Sequence, residues 1–293
     1  MDYFPSAEFR RRARVALTGR MPVAVMLVFL ASLPGLLTQV LVTIAEQPLQ
    51  EQLYRIYATI LNTGTIPDVE AIMGRVLDSV STTLMLAWGM SVLAWLVTPF
   101  LTLGLLACLL RFLRGGECTW QDVLCRRGCF LRAIGVQIMV VLKIIVWMLP
   151  GYAVYGVLAI LAFQLESGLL LYLSTMGVVA AAVLGIRAAL HYSLSDLVLA
   201  DRPETRIMDC IRGSISILRL RKMQFFLLML SFIGWELLIS LVTSLCSAIT
   251  PVLGTTVSLA ASLVLNLYIY TTQCAFYEEY KDKPCVYTKK KRA

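Results

Sequence analysis

The chain has 293 residues, of which 59% are hydrophobic and 15% charged, with a formal net charge of +8. A water-soluble domain carries roughly a quarter charged residues, so a pair of soluble enzyme domains of this length is excluded by composition. The basic excess flanks apolar runs and forms no separate domain, so nucleic acid is not an expected partner and a membrane surface is.

A helix needs about 20 apolar residues to cross a bilayer core of about 30 Å. Backbone groups in that core must satisfy one another, which leaves helices or a closed barrel. The apolar runs here are continuous and not alternating, which predicts helices. In chain order the spans fall at about 21–45, 81–110, 133–165, 169–199, 223–248 and 255–280. The expected fold is therefore all-α: a single polytopic membrane domain over 1–293, with an outer loop at 46–80 and tails at 1–20 and 281–293. The first span, Met21 to Ala45, is too long for a cleaved signal peptide and lacks a small-x-small cleavage site.

Lys and Arg set the orientation. Arg10, Arg11, Arg12, Arg14 and Arg20 precede the first span. Arg111, Arg114, Arg126, Arg127 and Arg132 follow the second. Arg202, Arg206, Arg212, Arg219, Arg221 and Lys222 separate the fourth from the fifth, and six more follow the sixth. The 46–80 loop has only Arg55 and Arg75. Both termini are thus expected in the cytoplasm.

The 46–80 loop carries two apolar stripes at helical spacing, Leu49, Leu53, Ile56 and Ile60, then Val69, Ile72, Met73, Val76 and Val80. Thr65, Pro67 and Asp68 suit a helix start between them. Two external amphipathic helices are predicted. On the basic side, Ile207, Ile211, Ile215 and Leu218 form a stripe with Arg206, Arg212 and Arg219 off it, and Trp120, Val123, Leu124 and Leu131 repeat the pattern more weakly. Such basic amphipathic helices are expected in the headgroup region, drawn by anionic lipid. With the basic N-terminal segment they suggest a repeat of one basic helix and two spans. Each first span would carry a break, at Leu33-Pro34-Gly35, Leu149-Pro150-Gly151 and Phe232-Ile233-Gly234. Gly177, Gly185 and Ala180 to Ala182 suit close helix packing.

Ionisable groups inside spans are costly and mark candidate sites. Lys143, Arg187, His191, Asp196 and Glu236 qualify, and Trp235 adjoins the last. Lys143 and Glu236 are each roughly 15–20 Å from the basic face at 1.5 Å per residue, so they can meet near the midplane. Arg187 and His191, four apart, share a helix face. Two readings stand: a polar cavity for an anion, headgroup or proton relay, or a structural ion pair joining three helices.

The eight cysteines are absent from the outer loop, and Cys118, Cys125 and Cys129 match no common zinc spacing. Free thiols are expected, with no disulfide framework. There is no phosphate-cradling Gly-rich loop, no H-E-x-x-H and no serine elbow. No cofactor, metal or catalytic residue is expected.

The segment Tyr192-Ser193, Leu199-Ala200-Asp201-Arg202-Pro203, Ile211 and Ser214, continued by Arg221-Lys222, Phe226, Leu230 to Trp235, Tyr270 and Ala275-Phe276-Tyr277-Glu278, resembles the bacterial integral-membrane family called domain of unknown function 975. Ala13-Arg14, Leu17 and Gly19 are similar to that family's opening, and Trp147 with Leu149-Pro150-Gly151 to its middle. About 40 residues separate the Pro-Gly from the Tyr-Ser helix, where family members run on almost directly. The resemblance implies a bacterial plasma membrane and no known activity. The expected function is a non-enzymatic envelope accessory or scaffold, with a homo-oligomer or another membrane protein as a partner. The alternative is a transporter or channel for a small solute or lipid headgroup that uses the intramembrane charges.

Overall fold

A computed structural model describes residues 6–63, 69–124, 127–165, 168–219 and 221–282. They form ten α-helices and one 3-10 turn, and no strand occurs among them. In order these are α1 (Ser6–Leu17), α2 (Met21–Thr63), α3 (Val69–Leu113), α4 (Trp120–Leu124), the 3-10 turn Arg127–Cys129, α5 (Phe130–Gln164), α6 (Gly168–Tyr192), α7 (Ser195–Asp201), α8 (Ile207–Leu218), α9 (Lys222–Ile249) and α10 (Pro251–Tyr280). Among the described residues six segments are long and apolar enough to cross a membrane: Met21–Val42, Met85–Leu113, Phe130–Gln164, Gly168–Asp201, Lys222–Ile249 and Leu253–Tyr280. The order of a short basic-side element followed by two long helices recurs three times.

Two compact units result. One comprises residues 1–28 and 102–293, the other Phe29–Leu101. The smaller unit holds the distal parts of α2 and α3. These helices have 43 and 45 residues, roughly 65 Å at 1.5 Å per residue, about twice the bilayer core. The two external amphipathic helices expected in 46–80 are therefore not separate elements: the stripe at 49–60 continues α2 and that at 69–80 begins α3. The apolar period carries on from each span without a terminating residue. The expected helix start at Thr65, Pro67 and Asp68 lies outside the described residues.

The larger unit is built on two helix hairpins. In the first, α5 and α6 approach until backbones touch. A Cβ on Gly151 would overlap the Ala181 nitrogen, and one on Gly177 would lie 2.6 Å from the Tyr155 nitrogen. Small residues here allow van der Waals packing that apolar solvent does not otherwise drive. Helix α5 runs unbroken through Pro150, and α2 through Pro34, so the expected breaks are absent. A Cβ on Gly234 would have nothing within 4 Å, so this glycine is not a close-packing point within the chain.

In the second hairpin α9 packs on α10, and α1 lies against both. Phe9, Ala13 and Leu17 recur every fourth residue and are buried. Phe9 meets Phe276 at 5.3 Å between ring centroids, and Phe276 meets Phe225 at 5.2 Å and Tyr280 at 4.8 Å. Phe232 stacks edge-on to Tyr268 at 5.7 Å.

Helix α8 departs from its expected place on the lipid. Its stripe packs on protein: Ile211 clusters with Ala188 and Tyr192, flanked by Ile207, Ile215, Met139, Val140 and Ile144. The α5–α6 hairpin offers an apolar surface of its own, and burial there needs no lipid. Ser214 of α8 repairs the α6–α7 corner, its hydroxyl donating to the His191 carbonyl at 2.8 Å and accepting from the Leu194 N–H at 3.2 Å. Around 117–131 the expected amphipathic helix is reduced to α4 and the 3-10 turn. Val123 is buried against Gly104, where any Cβ would fall 2.6 Å from the Val123 carbonyl oxygen, while Leu131 is exposed. A disulfide joins Cys108 to Cys118 with Cα atoms 5.6 Å apart, against the expectation of free thiols. The turn from α3 to α4 brings the two together. Cys129, Cys210, Cys246 and Cys274 are free.

Candidate functional site

The intramembrane residues do not assemble as the midplane arithmetic allows. Lys143 on α5 is half-buried, with its Nζ 5.9 Å from the centre of the Tyr192 ring. Arg187 on α6 is exposed, and Lys222 lies near enough to feel its charge. His191, one turn on, has a buried Nε2 with no hydrogen-bond partner among the described residues. Asp196 on α7 is half-buried, within electrostatic reach of Cys210 and Tyr270. Trp235 and Glu236 sit on the exposed side of α9. Among the described residues no ion pair joins Glu236 to Lys143 or Arg187. Depth along a helix is legible in the sequence; rotation about its axis, which turns Glu236 outward, is not.

The strongest polar assembly lies elsewhere, where the ends of α3, α7 and α10 meet. Gly115, whose φ of 80° puts it with Gly19 in the left-handed region, closes α3, and the Gly116 N–H returns to the Arg111 carbonyl at 2.9 Å. This turn delivers Arg114 between two carboxylates. Its guanidinium donates to Asp201 at 2.5 Å and to Glu278 at 2.9 Å. The Tyr277 hydroxyl donates to the second Asp201 oxygen at 3.2 Å, and Lys281 donates to Glu278 at 2.7 Å. Glu278 first, then Asp201, pushes the Arg114 guanidinium further above its ordinary value, against the opposing effect of burial. The Asp201 side chain is 9% exposed and that of Arg114 40%. Two positive and two negative groups thus neutralise one another at the rim of the larger unit.

Further clasps surround it. Arg12 pairs with Glu279 at 2.8 Å and with Glu8 at 3.5 Å, while Arg11 pairs with Glu8 at 2.9 Å. Arg20 donates to the carbonyls of Phe112 and Gly115, both at 3.3 Å. Arg132 donates to the Pro203 carbonyl at 2.5 Å. Arg221 stacks on Tyr280 at 4.1 Å. The basic segments flanking the spans therefore converge on one face of this unit. Among the described residues no three His, Cys, Asp or Glu side chains are placed to hold a metal ion.

Lined by none of the residues of the Arg114 clasp, a groove of about 1090 Å³ opens between α1, α9 and α10. Its rim carries Arg10, Arg11 and Arg14, and its wall Trp235, Ile239, Val264, Leu265 and Tyr268. The candidate residue Trp235 belongs to this groove. Nothing in the sequence singles it out as such, because the groove needs three helices and their rotations.

Six membrane-length apolar helices, with charge gathered at the ends of those helices, define an all-α multi-pass membrane protein. Residues 1–283 match the family model described as Protein of unknown function (DUF975), and the chain belongs to that family. No curated protein and no solved structure matches the chain. The match takes in the α5–α6 region as well as the segments that carry the resemblance. Two of those segments, Leu199 to Pro203 and Ala275 to Glu278, are the ones Arg114 holds together.

Proposed function

We propose that the protein is a non-enzymatic accessory or scaffold of the bacterial plasma membrane, with both termini cytoplasmic. The observation that carries this reading is the Arg114 clasp. The acids with the best claim to chemistry, Asp201 and Glu278, are occupied by a guanidinium, a phenol and an ammonium. Groups so held are fixed by the fold and shape a surface. Convergence of the basic segments on one face supports the cytoplasmic orientation through the positive-inside tendency. A solute path built on Lys143, Arg187 and Glu236 would need these side chains to share a cavity, and Glu236 turns outward.

The test is flux in proteoliposomes. The purified protein is expected to pass small ions and solutes no faster than protein-free vesicles. Saturable flux in the parent that is lost in a Lys143→Gln, Arg187→Gln, Glu236→Gln variant would overturn the reading in favour of transport.

A further inference from the structure

The four arginines of α1 divide into two pairs. Arg11 and Arg12 have acidic partners, Glu8 and Glu279. Arg10 and Arg14 have none among the described residues, although each is held by its backbone: the Tyr268 hydroxyl donates to the Arg10 carbonyl at 3.1 Å and the Thr18 hydroxyl to that of Arg14 at 3.0 Å. Four residues apart, the two share one face of α1, and both line the groove against α9 and α10. The wall of that groove on α9 and α10 is apolar apart from a phenol and an indole. Along α10 it extends from Tyr268 to Ala260, about 12 Å at 1.5 Å per residue. It descends from the charged end of α10 toward the apolar middle of the span.

The geometry points to a binding site for an anionic glycerophospholipid of the surrounding bilayer. Its phosphate meets Arg10 and Arg14, Tyr268 and Trp235 stand at the glycerol level, and one acyl chain lies against Ile239 and Val264. The occupant follows from charge and position together. Two guanidiniums with no acidic partner among the described residues stand at the mouth and attract an anion, and guanidinium matches phosphate oxygens in a fixed fork. An apolar wall continuous with a membrane-spanning face requires that the anion carry a hydrocarbon tail. Amphipathic aromatic rings favour the interface where one end is apolar and the other wet. A soluble phosphate would satisfy the arginines and leave the wall uncovered. The inference rests on the membrane placement of the chain and is independent of whether the protein is an accessory or a transporter.

The experiment is native mass spectrometry of the full chain released from micelles containing equal amounts of phosphatidylglycerol and phosphatidylcholine. The parent is expected to retain phosphatidylglycerol preferentially. Each arginine neutralised, in Arg10→Gln and Arg14→Gln, lowers that preference about fivefold, whereas Arg10→Lys with Arg14→Lys keeps most of it. Val264→Trp fills the wall without changing charge and lowers retention of both lipids. Arg212→Gln, on the outer face of α8, leaves the preference unchanged. The inference is overturned if the parent shows no preference, if the preference survives the glutamine pair, if Val264→Trp leaves retention of both lipids unchanged, if Arg212→Gln removes the preference equally, or if millimolar inorganic phosphate displaces the lipid. Flux in proteoliposomes decides the accessory reading separately, so failure of one proposal is not failure of the other.

Discussion

Replacing Arg114 by Met keeps length and apolar stem but deletes the charge at the centre of the clasp. Asp201, with a side chain 9% exposed, and Glu278, at 29%, then face one another without the cation between them. Removing one partner of a fully buried ion pair costs about 3–5 kcal/mol. Here Arg114 is 40% exposed, water screens part of the loss, and exposed pairs contribute under about 1 kcal/mol. A cost of about 2 kcal/mol lies between these limits and corresponds to a melting shift of about 4–8 °C. The assay is thermal unfolding in detergent read by a thiol-reactive dye, since Cys210 and Cys274 are buried and free and become reactive as the fold opens. Adding Asp201→Asn and Glu278→Gln to Arg114→Met should recover at least half of the loss, because most of the penalty falls on Asp201, left with the Tyr277 hydroxyl, while Glu278 keeps Lys281. A single variant melting within about one degree of the parent, or a triple variant worse than the single one, would refute the clasp as a stabilising element.

Gly151→Ala should destabilise by about 1–3 kcal/mol, because its methyl would overlap the backbone nitrogen of Ala181. Gly234→Ala, with open space around it, should gain up to about 1 kcal/mol from helix propensity, and equal melting shifts would contradict the α5–α6 contact. Asp122 accepts hydrogen bonds from the Thr119 N–H at 2.9 Å and hydroxyl at 3.0 Å and lies 3.3 Å from Arg111. These contacts, the backbone N–H first, hold its carboxyl below the usual range. The stabilisation is therefore fully present above about pH 3.9 and lost as pH falls through the depressed value. Asp122→Asn should speed amide exchange over 119–124 at neutral pH and flatten its acid dependence; unchanged exchange would sink the assignment. Burial, then Asp196 and Asp209, pushes the Cys210 thiol up to about 11, so maleimide at neutral pH should spare Cys210 in the folded protein. Cys108 and Cys118 should label only after both denaturation and reduction, and labelling without reductant would show that the bond is absent.

Span positions are legible because lipid imposes a single requirement, about 20 apolar residues, and α2, α3, α5, α9 and α10 begin or end within three residues of that pattern on the basic side, while the fourth span is divided, α6 stopping at Tyr192 and α7 carrying on to Asp201. The far ends of α2 and α3 are not, because a helix leaving the membrane need not stop, and only the fold itself shows that 46–63 continues α2. The stripe on α8 reads correctly as apolar and incorrectly as lipid-facing. Ile207, Ile211 and Ile215 have the same spacing whether they meet acyl chains or Met139 and Ile144. The candidate site is the least legible part. Counting residues gives Lys143, Arg187 and Glu236 a depth, but pairing depends on the rotation of three helices, and no periodicity in one helix reports the rotation of another.

The clasp changes what the charge asymmetry means. An excess of Lys and Arg beside the spans orients a chain whether or not each charge finds a partner, so the sequence cannot separate basic residues that hold the fold from those that remain available. The structure separates them on α1. Arg11 and Arg12 are consumed by Glu8 and Glu279, and α1 is thereby fixed to α10. Arg10 and Arg14, on the same helix and at the same face of the membrane domain, are left facing a groove with an apolar wall. Two of the segments that carry the family resemblance, Leu199 to Pro203 and Ala275 to Glu278, meet at Arg114 and serve closure of the fold. Whatever the protein engages is better sought among charges that closure leaves uncompensated. Among the described residues of α1 those are Arg10 and Arg14, the pair on which the proposed phospholipid site rests.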